Sequence, residues 1–118
     1  MLPTLSRTQN KFMNNILATL EQILEQRKSA SADSSYVSSL YGKGTDQILK
    51  KIAEEAAEVI MATKEGDSDK IIHEVADLWF HTMILLRHQN IAFSDIEKEL
   101  MHRYGVSGLT EKLNRKVK

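Results

Sequence analysis

Apolar residues return at intervals of three and four along most of the chain, and no segment alternates convincingly with a period of two. Residues 10 to 27 carry Phe12, Ile16, Leu17, Leu20, Ile23 and Leu24, one stripe of an amphipathic helix. "SASADSS" (29 to 35) is a polar connector, and "SYVSSLYGKG" predicts a short helix or irregular arm ending at Gly42 and Gly44. Thr45 or Asp46 can cap a helix over 46 to 64, with Ile48, Leu49, Ile52, Val59 and Ile60 facing inward. "KEGDSD" is a turn. Ser68 or Asp69 then caps a helix running to about His88, and "HQN" leads to a shorter one with Ser94 as N-cap and Glu97 as its capping-box partner. Gly105 and Gly108 break the pattern before a basic tail, "LTEKLNRKVK", that is at most weakly helical. The expected fold is therefore all-α: a bundle of four to five helices around two long antiparallel central ones.

The segment 69 to 88 changes that picture. Ile71, Val75, Leu78, Trp79, Leu85 and Leu86 cover one side, and Phe80 and Ile84 cover much of the other. A helix apolar nearly all round needs partners all round. A chain of 118 residues has few helices to offer, so the pattern predicts a homodimer or higher homo-oligomer. One domain is expected over 1–118: an N-terminal helix and connector (1–33), a core (34–104) and the basic tail (105–118).

Composition removes several classes of function. Sixteen basic and sixteen acidic residues leave a formal net charge of zero, so no broad basic field invites nucleic acid. The absence of cysteine excludes disulfides and thiolate metal sites. No apolar run approaches the roughly 20 residues of a membrane span, and the first dozen residues lack the apolar core of a signal peptide. The expectation is a soluble, cytoplasmic protein that binds neither membrane nor nucleic acid.

Two stretches carry the candidate chemistry. "EEAAEV" places Glu55 three before Glu58, and "EVAD" places Glu74 three before Asp77. At about 100° per residue, both pairs fall on the border of an apolar stripe, and an antiparallel hairpin lets those borders meet. Carboxylates converging beside a core repel one another and lose hydration, which a hard divalent cation such as Mg2+ answers with oxygen coordination. Phosphoanhydride hydrolysis is the chemistry that needs such a site. A single E-x-x-E pair is common on solvated helix faces; two in matching phase, one on an otherwise apolar helix, are not. Glu54 points outward, a solvated residue or a neighbour of the ligands. Lys51 lies on the side of Glu55 and Glu58, to pair with them or to hold a phosphate, and Lys50 points further out. "KG" at 43 and 44 can bring a basic group and free N–H groups to an anion. His81 reads as a hydrogen-bonded or core histidine, His73, His88 and His102 as ordinary surface residues, and Trp79 as core or interface.

The stretches "SSYVSSLYGKGTDQILKKIAEEAAEVIMATKEGD", "EVADLWFHTMILL" and "SGLTEKLNRK", between about residues 34 and 116, closely resemble the phosphoribosyl-ATP pyrophosphatases. These belong to the all-α nucleoside-triphosphate pyrophosphohydrolases, with the MazG-like proteins and dimeric dUTPases. The E-E-x-x-E…E-x-x-D core is common to that superfamily, while "SSYV", "ILKK" and the "SG…EK" tail point to this member. The resemblance implies Mg2+-dependent hydrolysis of phosphoribosyl-ATP to phosphoribosyl-AMP and pyrophosphate, the second step of histidine biosynthesis, in an oligomer whose site is built by two chains. It makes Glu55, Glu58, Glu74 and Asp77 the catalytic residues and metal ligands, with Glu54 close by. Lys43, Lys50, Lys51, Arg103, Ser107, Lys112 and Arg115 become candidates for the substrate. Ala53 departs from the pattern, where a glycine is expected. Many relatives are fused to a zinc-dependent cyclohydrolase, whose length and cysteines this chain lacks, so a stand-alone enzyme is expected. Three alternatives stay open: a MazG-like house-cleaning pyrophosphohydrolase, a di-iron bundle and a non-catalytic dimerisation module. The di-iron reading needs two E-x-x-H motifs, and the chain offers one, Glu99 to His102.

Overall fold

The computed structural model describes residues 16 to 105, and among them every regular element is a helix. They are α1 (Ile16–Gln26), α2 (Tyr36–Lys43), α3 (Thr45–Glu65), α4 (Ser68–His88) and α5 (Phe93–Tyr104). The expected all-α architecture is present, and α3 with α4 forms its axis. Thr45 at the start of α3 hydrogen-bonds His88 at the end of α4, Oγ1 to Nε2 3.0 Å, so the two run antiparallel over their whole length. Two residues connect them. Gly66 ends α3 in the left-handed conformation (φ 73°, ψ 21°), where an L side chain would be strained, and Asp67 starts α4 by accepting from the Lys70 N–H at 3.2 Å.

Three capping expectations are corrected. The cap of α4 is Asp67, not Ser68 or Asp69. Neither Thr45 nor Asp46 caps α3, because Gly44 stands before it and Thr45 is already helical. Ser94 and Glu97 do not box the start of α5; Ala92 precedes that helix, and its first N–H, at Phe93, donates across the fold to Glu21 Oε2 at 2.8 Å. In each case the chain enters the helix one or two residues earlier than the polar residue that could have capped it. The arm 36–43 is a full helix. Ser35 caps it through the Ser38 N–H, and Ser38 and Tyr41 donate to the carbonyls of Arg27 and Leu24 at 2.9 and 3.0 Å, which ties it to the end of α1. Gly44 alone joins α2 to α3, at φ 93° and ψ −178°, a region open in practice only to glycine.

One core serves all five helices: Leu24, Val37, Leu40, Ile48, Ile84 and Phe93, with Ile52, Phe80, Met83 and Leu86 packed around it. Arg87 closes its end by reaching Glu25 at 2.9 Å and Glu21 at 3.3 Å. The inward stripe expected on α3 is narrower than the sequence suggests, since Leu49 and Ile60 are exposed. Only α2 and α4 pack extensively against α3, so its remaining apolar side has no cover within the described residues. On α4, Trp79 is 59% exposed and Ile72 68%. Trp79, Met83, Leu86, Leu17, Ile96 and Leu100 line an open apolar groove between α1, α4 and α5. No helix among the described residues is long and apolar enough to cross a membrane.

Candidate active site

The acids of α3 and α4 meet on one border of the hairpin. Glu55, mid-way along α3, is buried, while Glu54 and Glu58 on either side of it are exposed. Glu74 and Asp77 on α4 are half-buried. Glu74 is the shared member of the group. Across the hairpin its carboxyl faces that of Glu55, and it feels the charge of Glu55 and Glu58. Along its own helix it lies with His73 and Asp77, so that one ligand atom from each of these three falls within 4.8 Å of the others. Loss of hydration, followed by the nearness of the Glu55 carboxyl and the repulsion of Glu55 and Glu58, lifts the Glu74 carboxyl above the usual carboxylate range; His73 opposes the shift. The crowding expected from helical phase is thus present as a shifted acid.

Lys51 answers part of that charge. Its ammonium lies 3.4 Å from Glu54 Oε2 and 3.6 Å from Glu55 Oε1. Partial burial alone would depress its pKa; the Tyr36 phenol and then Glu54 and Glu55 outweigh that and hold it above the ordinary lysine value. Of the two roles open to Lys51, pairing with the acids is the one the geometry displays. Lys43 and Lys50 are exposed at the end of α2 and on the outer side of α3. Arg103 pairs within its own helix, Nε to Glu99 Oε1 2.7 Å. Ser107, Lys112 and Arg115 lie outside the described residues.

Three further residues belong to this border. His73, expected as ordinary surface, is exposed but stands 3.4 Å from Asp77 Oδ2; the i,i+4 spacing was a legible signal. His81 is buried, as expected of a hydrogen-bonded core histidine. Its Nδ1 lies 2.8 Å from the Asp77 carbonyl, an acceptor only, so Nδ1 carries the proton. Nε2 is then free to accept from the Tyr36 hydroxyl at 2.6 Å. Burial first, then the carboxylates Glu55, Asp77 and Glu54, push the Tyr36 phenol up, against the pull of Lys51. No local pattern announces Tyr36, because its partner is 45 residues away. His88 corrects its expectation: it is half-buried, bonded to Thr45 and stacked on Tyr41 with ring centroids 5.8 Å apart.

By fold and site this is an all-helical domain whose central hairpin carries a facing cluster of acids. A family model described as phosphoribosyl-ATP pyrophosphohydrolase matches residues 17–104, which span both acid-bearing helices. The chain is 69% identical over 103 residues to the phosphoribosyl-ATP pyrophosphatase of Vesicomyosocius okutanii, covering 87% of this chain and 98% of that one. It is 53% identical over 106 residues to the phosphoribosyl-ATP pyrophosphatase of Hydrogenovibrio crunogenus (86% and 94% covered), and 52% over 103 residues to that of Methylococcus capsulatus (87% and 98%). The chain belongs to the phosphoribosyl-ATP pyrophosphohydrolase family.

Proposed function

We propose that this protein hydrolyses phosphoribosyl-ATP to phosphoribosyl-AMP and pyrophosphate, the step in histidine biosynthesis that its family membership implies. The observation that carries the reading is the meeting of Glu55 and Glu74 across the hairpin, within the span matched by the family. Water attacks phosphorus, the bridging P–O bond breaks, and the leaving oxygen departs on pyrophosphate. A carboxylate of the cluster takes the proton that the water loses.

The donor set fits a hard divalent ion. It is rich in carboxylate oxygen, it is crowded enough to raise an acid's pKa, and the α4 members already lie within 4.8 Å of one another. Glu55, Glu58, Glu74 and Asp77 would hold Mg2+, with Glu54 beside them. Bound there, the ion would neutralise phosphate charge and favour ionisation of the attacking water. Lys51 supplies positive charge beside the acids; Lys50 and Lys43, exposed on the outer side of α3 and at the end of α2, and Arg103, Ser107, Lys112 and Arg115 from the C-terminal part of the chain are the further candidates for the substrate. A second copy of the chain, in the cytoplasm, covers the groove around Trp79, since the described helices leave that apolar face open.

Pyrophosphate release from phosphoribosyl-ATP with Mg2+, beside ATP and dUTP at equal concentration, tests the proposal. A clear preference for phosphoribosyl-ATP is expected. Turnover of the free triphosphates in its place would make the protein a house-cleaning pyrophosphohydrolase, and no turnover of any of them would end the enzymatic reading.

A further inference from the structure

His73 stands on the acid border, and the proposed function gives it nothing to do. It opens a His-x-x-x-Asp spacing on α4, and residues four apart on a helix lie on one face. That spacing lets a single helix offer two donors to one ion, as the two histidines of an H-E-x-x-H helix do for zinc. The distances agree with such a use. His73 Nε2 lies 3.4 Å from Asp77 Oδ2, and one donor atom each from His73, Glu74 and Asp77 falls within 4.8 Å of the others. Neighbouring ligands of an octahedral ion with bonds of about 2.1 Å are about 3.0 Å apart. The histidine–aspartate pair therefore needs only a small closure to share an ion. His73 and Glu74 also line an open cleft of about 340 Å³ between the two long helices, with Glu58 facing them from α3 and the Glu65–Lys70 ion pair (2.8 Å) beside them. A water takes about 30 Å³, so the cleft has room for an ion with several waters. An exposed histidine–aspartate pair one turn apart is ordinarily solvated and contributes little. The third donor and the cleft separate this pair from that case.

We propose that His73 is a further ligand of the divalent cation, giving the centre a mixed nitrogen and oxygen donor set. The inference rests on the metal reading of the acid cluster given above. Imidazole nitrogen adds little for Mg2+, which prefers oxygen and keeps its waters. It adds more for ions further along the divalent series, such as Co2+. His73 thus tunes which metal the site accepts, while the carboxylates supply most of the charge.

The test reads the metal's ligands directly. Mn2+ is added to the parent, His73→Ala and His73→Asp, and pulsed electron paramagnetic resonance looks for coupling of the bound ion to a ligand nitrogen. Circular dichroism confirms helix content. Nitrogen coupling is expected in the parent and should be absent from both variants. Mn2+ affinity, followed by the signal of the free ion, should fall about tenfold in His73→Ala. His73→Asp keeps a donor but makes the set all-oxygen. In competition against Mn2+, the advantage of Co2+ over Mg2+ should shrink about tenfold in that variant. A histidine that merely pairs with Asp77 would alter affinity without any nitrogen coupling in the parent. Bound Mn2+ without nitrogen coupling in the parent, coupling that persists in His73→Ala, or an unchanged Co2+ advantage in His73→Asp overturns the proposal and leaves the carboxylate site standing. A parent that binds no Mn2+ overturns the metal reading and this inference together. A parent that binds Mn2+ but releases no pyrophosphate from phosphoribosyl-ATP overturns the substrate reading alone.

Discussion

Replacing Glu21 by alanine is expected to destabilise the protein more than replacing Glu25, although Glu25 makes the shorter contacts with Arg87. Glu25 accepts from Arg87 Nη2 at 2.9 Å and Nε at 3.1 Å, and it also meets Lys28 at 3.1 Å. All of this lies at the surface, where Arg87 and then Lys28 hold the carboxyl below its ordinary value. The stability that Glu25 contributes is present above the unfolded glutamate pKa and is lost as pH falls through the lowered one. At neutral pH such pairs contribute about 0.5 kcal/mol. Glu21 has a second duty. Its Oε2 accepts the first N–H of α5, from Phe93 at 2.8 Å, and Phe93 is buried. No other side chain among the described residues caps that helix, since Ala92 has no side-chain acceptor. Loss of the acceptor leaves a partly buried donor unpaired, which costs about 1–2 kcal/mol, and the ion pair adds about 0.5. Glu21→Ala should thus cost about 2 kcal/mol, and Glu21→Gln, which keeps an acceptor, about half that. For a domain of this size the alanine variant should melt about 6–10 °C lower. Urea denaturation at a fixed protein concentration measures the difference while holding any contribution from association constant. If Glu21→Ala proves no worse than Glu25→Ala, the cross-fold cap is not what holds α5.

Three other outcomes are expected. Glu55→Gln and Asp77→Asn should each lower the rate of pyrophosphate release by about a hundredfold or more with helix content unchanged; full activity in either removes that residue from the site. Burial pushes the Tyr41 hydroxyl up to about 12. Its contribution to stability is whole below the unfolded tyrosine pKa near 10 and fades as pH rises through 12, so Tyr41→Phe should flatten the alkaline limb of a stability–pH curve while costing about 1 kcal/mol at neutral pH for the lost bond to Leu24. Gly44→Ala forces a side chain onto a backbone at φ 93° and should cost about 1–3 kcal/mol in denaturant unfolding, despite open space around the added methyl.

The long helices were legible because three-and-four spacing is a local property of the chain. The acid pairs were legible for the same reason: helical phase alone puts Glu55 and Glu74 on facing borders. What stayed hidden is long-range. Glu21 capping α5 joins residues 72 apart, and Tyr36 meeting His81 joins residues 45 apart. The caps were misplaced because a serine or aspartate near a helix start is only a candidate, and the turn geometry at Gly66 and Gly44 decides which residue stands first. The exposed side of Trp79 was legible only as an excess, an apolar surface larger than the visible partners could cover.

The two-residue turn at Gly66 and Asp67 has a consequence for how the protein folds. Glu54, Glu55, Glu58, Glu74 and Asp77 all sit on two helices joined by that turn, so bringing them together closes only a short loop. Contacts of this kind form early, on the microsecond scale of helix growth and short-loop closure. The hairpin is expected to assemble its acids face to face before α1 and α5 dock through Glu21 and Arg87. A cation able to bind at that stage would act on the folding route as well as on the finished enzyme: it would relieve the mutual repulsion of the acids and speed collapse of the hairpin.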